Sequence, residues 1–189
     1  MFRRKKAPVA PPDSLSSLPA WTRTLPPLSL AVEQTAIKLR KADHPYASHT
    51  GDKMQFEGFE LFDGTGAFRD PDSIDRVLKL QDGVWLARLA GIKQHLSPGH
   101  YATIVPLTKL GLRAEPSNPK DPHAVAVCTD DGVRAGFLPA PLAAEVCQLV
   151  SQGKGSAIVL GVYRLGERPV GVRLFVTFKN IALDVVLPD

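Results

Sequence analysis

EPSNPKDPHAVAVCTDDGVRAGFLPAPL, residues 115–142, holds a loop, two strands, a tight turn and the start of a helix in one run. In its first part, 115–121, Pro116 and Pro119 fix φ, and Asn118 and Asp121 are residues that bond their own backbone in tight turns. Residues 124–129, AVAVCT, then form an apolar run of strand length. Asp130-Asp131-Gly132 supplies the positive φ that a hairpin turn demands. The chain returns over 133–138, and Pro141 sits where a first helical turn tolerates it.

Working outward, residues 84–90 read as a first strand that Gly91 ends or bulges, and Ser97-Pro98-Gly99 as a turn. A second strand is expected over 103–113, with Pro106 marking an irregularity or an edge. After the hairpin, a helix over 141–152 places Leu142, Val146, Leu149 and Val150 on one face, and Gly153 stops it. Strands over 156–163 and 170–178 follow, joined around Gly166. In the last of these, Val170, Val172, Leu174, Val176 and Phe178 alternate toward the core, which puts Arg173, Phe175 and Lys179 outward as an aromatic between cations. Six short strands with one or two helices predict a mainly β fold (β-rich α+β), a small OB- or SH3-like six-stranded barrel with an N-terminal extension.

The expected organisation is a proline-rich basic arm over 1–29, an extension over 30–83 that packs on the barrel, the barrel over 84–183, and a tail over 184–189. The arm carries Pro8, Pro11, Pro12, Pro19, Pro26 and Pro27 and too little apolar surface to offset its ordering entropy, so it reads as disordered. Trp21 and Leu25 are its apolar exceptions. Residues 30–41 fit a helix capped by Ser29 and stopped by Pro45, while 29–32 fits a strand equally well. Met54, Phe56, Phe59, Leu61 and Phe62 form an extended aromatic stretch suited to an added strand or hairpin. Asp72 or Ser73 caps a short helix bearing Ile74, Val77 and Leu78.

The net charge is +4, unevenly spread. Residues 1–53 hold nine Lys/Arg against four Asp/Glu, 54–83 three against seven, and 84–183 eleven against six. A basic arm and a basic barrel suit a nucleic-acid partner, with the acidic middle covering or competing for that surface; simple solubility is the rival reading. No apolar run approaches the ~18–20 residues of a membrane span, and no apolar region follows Arg3-Arg4-Lys5-Lys6 as in a signal peptide, so the cytoplasm is the expected location. The two cysteines, Cys128 and Cys147, match no zinc spacing and read as core-side thiols. His44 and His49 lack the carboxylate or thiol partners of a metal site, and Gly64-Thr65-Gly66 lacks the spacing of a phosphate loop, so neither metal nor cofactor is expected.

The loop, hairpin and helix also resemble the HIRAN domain, a small β-barrel module found ahead of SWI/SNF-type DNA translocases and alone in bacterial proteins. The pattern appears as Glu115-Pro116-Ser117-Asn118-Pro119-Lys120-Asp121, then Ala124-Val125-Ala126-Val127, Gly136-Phe137-Leu138-Pro139 and Leu142-Ala143-Ala144, and the resemblance spans 84–178. It implies a pocket that captures the 3′ end of a DNA single strand, with Asp121 bonding the terminal hydroxyl, Asn118 shaping the loop and Lys93 meeting phosphate. The chain departs from the family where aromatics are expected, having Gln94-His95 after Lys93 and Lys120 in the loop, and His123 stands where asparagine is usual. His95, Tyr101, Phe137 and Phe175 are the candidate stacking faces in their place, and Lys120 offers charge instead of stacking.

The expected function is therefore non-catalytic binding of single-stranded DNA or DNA ends in replication or repair, with a replication or repair protein as the expected partner of the arm. A HIRAN-like protein-interaction module is one alternative. A metal-dependent nuclease using Asp121, His123 and nearby carboxylates is another.

Overall fold

A computed structural model describes residues 36–47, 53–62, 68–69 and 77–186. The expected arm over 1–29, the possible strand over 29–32 and the start of the helix expected over 30–41 lie outside these residues.

The hairpin forms where the Asp-Gly turn and the apolar run place it. Its strands are β7 (Val125–Cys128) and β8 (Arg134–Phe137), and Val125, Ala126 and Val127 are fully buried. β6 (Lys109–Ala114) pairs antiparallel with β7 and also with the start of β9 (Ser156–Leu165). β9 pairs with β10 (Arg168–Thr177), and β10 with β5 (Val84–Arg88). Two residues past β5, Ala90 bridges Phe137 of β8; each N–H donates to the other's carbonyl at 2.9 Å. The pairings thus run β5–β8–β7–β6–β9–β10 and back to β5, a ring of six strands. The seam needs glycine at 136, because a Cβ there would collide with the Ala90 carbonyl oxygen, which is backbone and has little room to yield.

Inside the ring, Trp85, Ala87, Leu89, Leu110, Val127, Ala135, Val159, Val172, Leu174 and Val176 form one apolar core. α2 (Ala140–Ser151) covers it with Leu142, Ala143, Val146 and Val150. Full burial of side chains such as Leu142 and Val146 contributes about 1.5–3 kcal/mol each. Pro139 precedes the first turn and Gly153, at φ 73°, follows the last.

A second apolar layer covers part of the ring's outer face. β1 (Ala36–Ala47) pairs antiparallel with β2 (Lys53–Phe62), β2 pairs with β9, and β4 (Val77–Gln81) pairs with β5. The two-residue β3 (Phe68–Arg69) lies along β2, and β11 (Ala182–Val186) runs parallel to β1. Asp184, Val185 and Val186 of the expected tail are therefore strand residues. Ile37, Leu39, Phe59, Leu61, Leu80, Val84, Leu86, Leu160 and Phe175 make the second core. This layer overturns the expected outward row of β10, where Phe175 is 0% and Arg173 6% exposed. Both faces of the strand are covered, one by the barrel interior and the other by the extension.

Three local expectations also change. Residues 36–41 are strand rather than helix, since Ile37 and Leu39 alternate with Lys38 and Arg40 in period two. Among the described residues that end of β1 pairs with β2 alone, which accommodates Pro45. Val77 and Leu78 lie on β4, and the rest of the helix expected there falls outside the described residues. The strand expected over 103–113 begins only at Lys109, after a 3-10 helix (Pro98–Thr103) and a turn holding Leu107 at φ 68°. No helix among the described residues is long and apolar enough to cross a membrane.

Candidate nucleic-acid interface

The Asn-Pro loop between β6 and β7 is built by its own polar side chains. The Asn118 N–H donates to the Glu115 carbonyl at 2.9 Å, and Asn118 Oδ1 accepts from the Lys120 N–H at 3.0 Å. Asp121 Oδ1 accepts from the His123 N–H at 2.8 Å, and the Glu115 N–H closes the loop on the Ala124 carbonyl at 2.8 Å. Both residues therefore make the turns the sequence assigned to them.

Glu115 anchors the loop to the barrel. Its carboxylate accepts from the Asn118 amide at 3.2 Å, from Arg134 at 2.5 Å and from Arg113 at 3.4 Å. Burial pushes the Glu115 carboxyl up, but the Asn118 bond, the Arg134 charge and the two arginine bonds outweigh it. Its pKa lies below the ordinary glutamate value.

Phe137 is half-buried beside this loop. The Arg134 guanidinium lies 5.1 Å from its ring centre, and the His95 ring meets it edge-on at 5.2 Å and 75°. Arg134 and Phe137 are three residues apart, which on a regular strand means opposite faces. A register shift between Val127 and Cys128 leaves Ala135 without a partner, and the bulge turns both side chains to one face. His95 arrives on α1 (Ile92–His95), the single turn that Gly91, at φ 75°, starts just past the Ala90 seam. Lys93, Gln94 and His95 are all exposed on it.

A cavity of about 170 Å³ opens between loop and hairpin, lined by Asn118, Lys120, Asp121, Phe137, Ala140 and their neighbours. Four of the residues singled out in the sequence, Asn118, Lys120, Asp121 and Phe137, thus meet around one space. His95 joins them through Phe137, and Lys93 and Gln94 share its turn. His123 sits at the rim, with its exposed ring Nδ1 3.6 Å from Asp121 Oδ1. Phe175 belongs to the second core instead, Arg173 is buried opposite Arg88 in the register of β10 and β5, and Lys179 lies past Thr177, which pairs with Val84 at the far end of β5 from Ala90. Arg134, Glu115 and Ala140 are the site residues that sequence reasoning missed.

A separate polar chain fastens the 3-10 helix to the hairpin turn. Ser97 Oγ lies 2.8 Å from His100 Nδ1, and His100 Nε2 is 3.3 Å from Asp131. The Thr129 hydroxyl bond leads the interactions that hold the Asp131 carboxyl below its ordinary value. Among the described residues, no group of three or more His, Cys, Asp or Glu side chains is arranged to hold a metal ion.

Residues 87–179 match the family model of the HIRAN domain, so the resemblance drawn from loop, hairpin and helix extends across the barrel. Two solved structures are similar to the chain. The crystal structure of the HIRAN domain of human HLTF is 18% identical, with 51% of this chain and 74% of that one covered at a TM-score of 0.42. A crystal structure of a protein from Lactobacillus plantarum is also 18% identical, covering 48% of this chain and 87% of that one at 0.41. No curated protein matches the chain.

Proposed function

We propose that the barrel binds single-stranded DNA and receives the strand's 3′ end in the cavity between the Asn-Pro loop and the hairpin. The observation that carries this reading is Phe137, set between His95 and Arg134 at the mouth of a cavity containing Asp121. At about 170 Å³ the cavity is smaller than the ~300–1,000 Å³ of typical small-molecule pockets, and suits a terminal sugar rather than a whole nucleotide. The terminal base then lies outside, against the Phe137–His95 pair, where stacking on an aromatic side chain contributes about 1–3 kcal/mol.

Asp121 has one carboxylate oxygen committed to the His123 N–H, and the other is available to accept from a 3′-hydroxyl. Lys120, exposed on the loop and lining the cavity, and Lys93, exposed on the α1 turn that carries His95, supply positive charge suited to phosphates. Arg134 is tied to Glu115, so its part is to hold the Phe137 ring rather than to meet the backbone. These groups bind and orient; the reading includes no reaction. A protein with this preference acts where ends are exposed, as in replication and repair.

The test compares labelled single strands ending in a 3′-hydroxyl or a 3′-phosphate. A carboxylate bonds the first and repels the second, so the hydroxyl strand should bind about tenfold or more tightly, given ~1.5–3 kcal/mol for a charged hydrogen bond. Asp121→Ala should shrink that preference, and Lys120→Ala should weaken both strands alike. Equal binding of the two ends, with Asp121→Ala altering only thermal stability, refutes end capture.

A further inference from the structure

On the other side of the Pro139–Pro141 turn lies a larger groove of about 1,000 Å³. Its described lining includes Val77, Arg88, Ala90 and the three residues of that turn, and Arg88 is the charged one among them. Ala140 lines both this groove and the smaller cavity, so the two spaces meet at the start of α2. The strand register fixes how far apart their contents lie. Ala90 stands opposite Phe137 across the seam, and Arg88 is two residues back along the same face of β5. At about 4.8 Å between strands and 3.3 Å per residue along one, the Arg88 Cα is roughly 8 Å from that of Phe137. An arginine side chain at that distance reaches the phosphate one or two nucleotides upstream of a base stacked on Phe137.

We infer that the bound strand runs from the end-receiving cavity over Ala140 into this groove, where Arg88 holds an upstream phosphate. This rests on the strand-binding reading and adds a second subsite to it. The single-stranded occupant follows from the continuity at Ala140, from the exposed cation with no acid in the described lining, and from room for bases against Val77 and the prolines. Because the subsite lies beyond the first base, it gives affinity that depends on strand length.

The experiment measures binding of the full chain to oligothymidylates with free 3′-hydroxyls. One strand is a dinucleotide, which ends before the phosphate assigned to Arg88 and is below the roughly 4–16 nucleotides that an OB fold occupies, and the other has about ten. The wild-type protein should prefer the longer strand. Arg88→Ala should weaken the longer strand about tenfold and leave the shorter one unchanged. It should also flatten the salt slope for the longer strand by about 0.7, the share of one single-strand phosphate contact. Arg88→Lys should keep part of the length preference, and Arg88→Glu should abolish it. Thermal unfolding of the three variants at the wild-type temperature keeps the comparison free of folding effects, as the exposure of Arg88 leads one to expect. Equal losses on both strands, or none on either, overturn the groove path while leaving strand binding standing. Failure of the wild-type protein to bind either strand removes the strand-binding reading itself.

Discussion

Glu115→Gln removes one charge and almost no volume, at the point where the loop is tied to the barrel. The carboxylate accepts from three side chains, and they are unequal. Arg134, at 2.5 Å with its side chain 37% exposed, makes the strong bond; Arg113, at 3.4 Å and 54% exposed, makes a weak one. A hydrogen bond to a charged group contributes ~1.5–3 kcal/mol and a surface ion pair ~0–1. With partial exposure discounting the first, the substitution should cost about 2 kcal/mol at neutral pH, which for a chain of this size lowers Tm by roughly 4–8 °C.

The pH dependence follows from the lowered Glu115 pKa. A carboxyl whose folded value lies below its unfolded value stabilises the fold fully above the unfolded value. That stability is lost as pH falls through the folded one. Wild-type and Glu115→Gln melting curves, followed by circular dichroism, should therefore separate at neutral pH and converge in acid. An unchanged Tm at neutral pH, or a gap that persists undiminished in acid, refutes the anchoring role.

Phe137→Ala should lower single-strand affinity by about 1–3 kcal/mol in fluorescence anisotropy, and Phe137→Trp should retain it; equal affinity in the alanine variant would move the stacking face elsewhere. Gly136→Ala should cost about 1–3 kcal/mol or more in urea denaturation, because its Cβ meets the Ala90 carbonyl, and strand binding should weaken with it. Phe175→Ala should cost ~3–5 kcal/mol as a core truncation. Exposed Lys179→Ala should stay within about 0.5 kcal/mol, so comparable effects of these two would contradict the second layer.

What the sequence made legible was local. The prolines and Asx residues of the loop, the Asp-Gly turn, the buried run 124–129 and the stripe on α2 all act over a few neighbours, and each appears where expected. Phe175 and Arg173 were misplaced because alternation along β10 shows one apolar face, while what covers the other comes from β1 and β2, more than a hundred residues earlier. The pairing of Arg134 with Phe137 was hidden by an odd spacing that only the bulge at Ala135 reconciles. Residues 36–41 offered both a helical line and a period-two alternation, and strand partners on both sides decided between them.

The same two residues that close the ring also border the interface. Ala90 and Phe137 hold the seam with one reciprocal pair of hydrogen bonds, whereas β9 and β10 share a ladder running the length of both strands. Parts of a fold with few backbone bonds open by themselves, at free energies well below global unfolding. Each such opening parts the Phe137 ring from His95 and the α1 turn, while Phe137 stays on the loop side through its pairing with Ala126 of β7. A strand lying across Phe137 and Arg88 spans the seam and acts as a staple, stabilising the closed ring by mass action. Amide hydrogens of Ala90 and Phe137 should then exchange faster than those of β9 in the free protein and slow on binding, with the β9 amides scarcely changed.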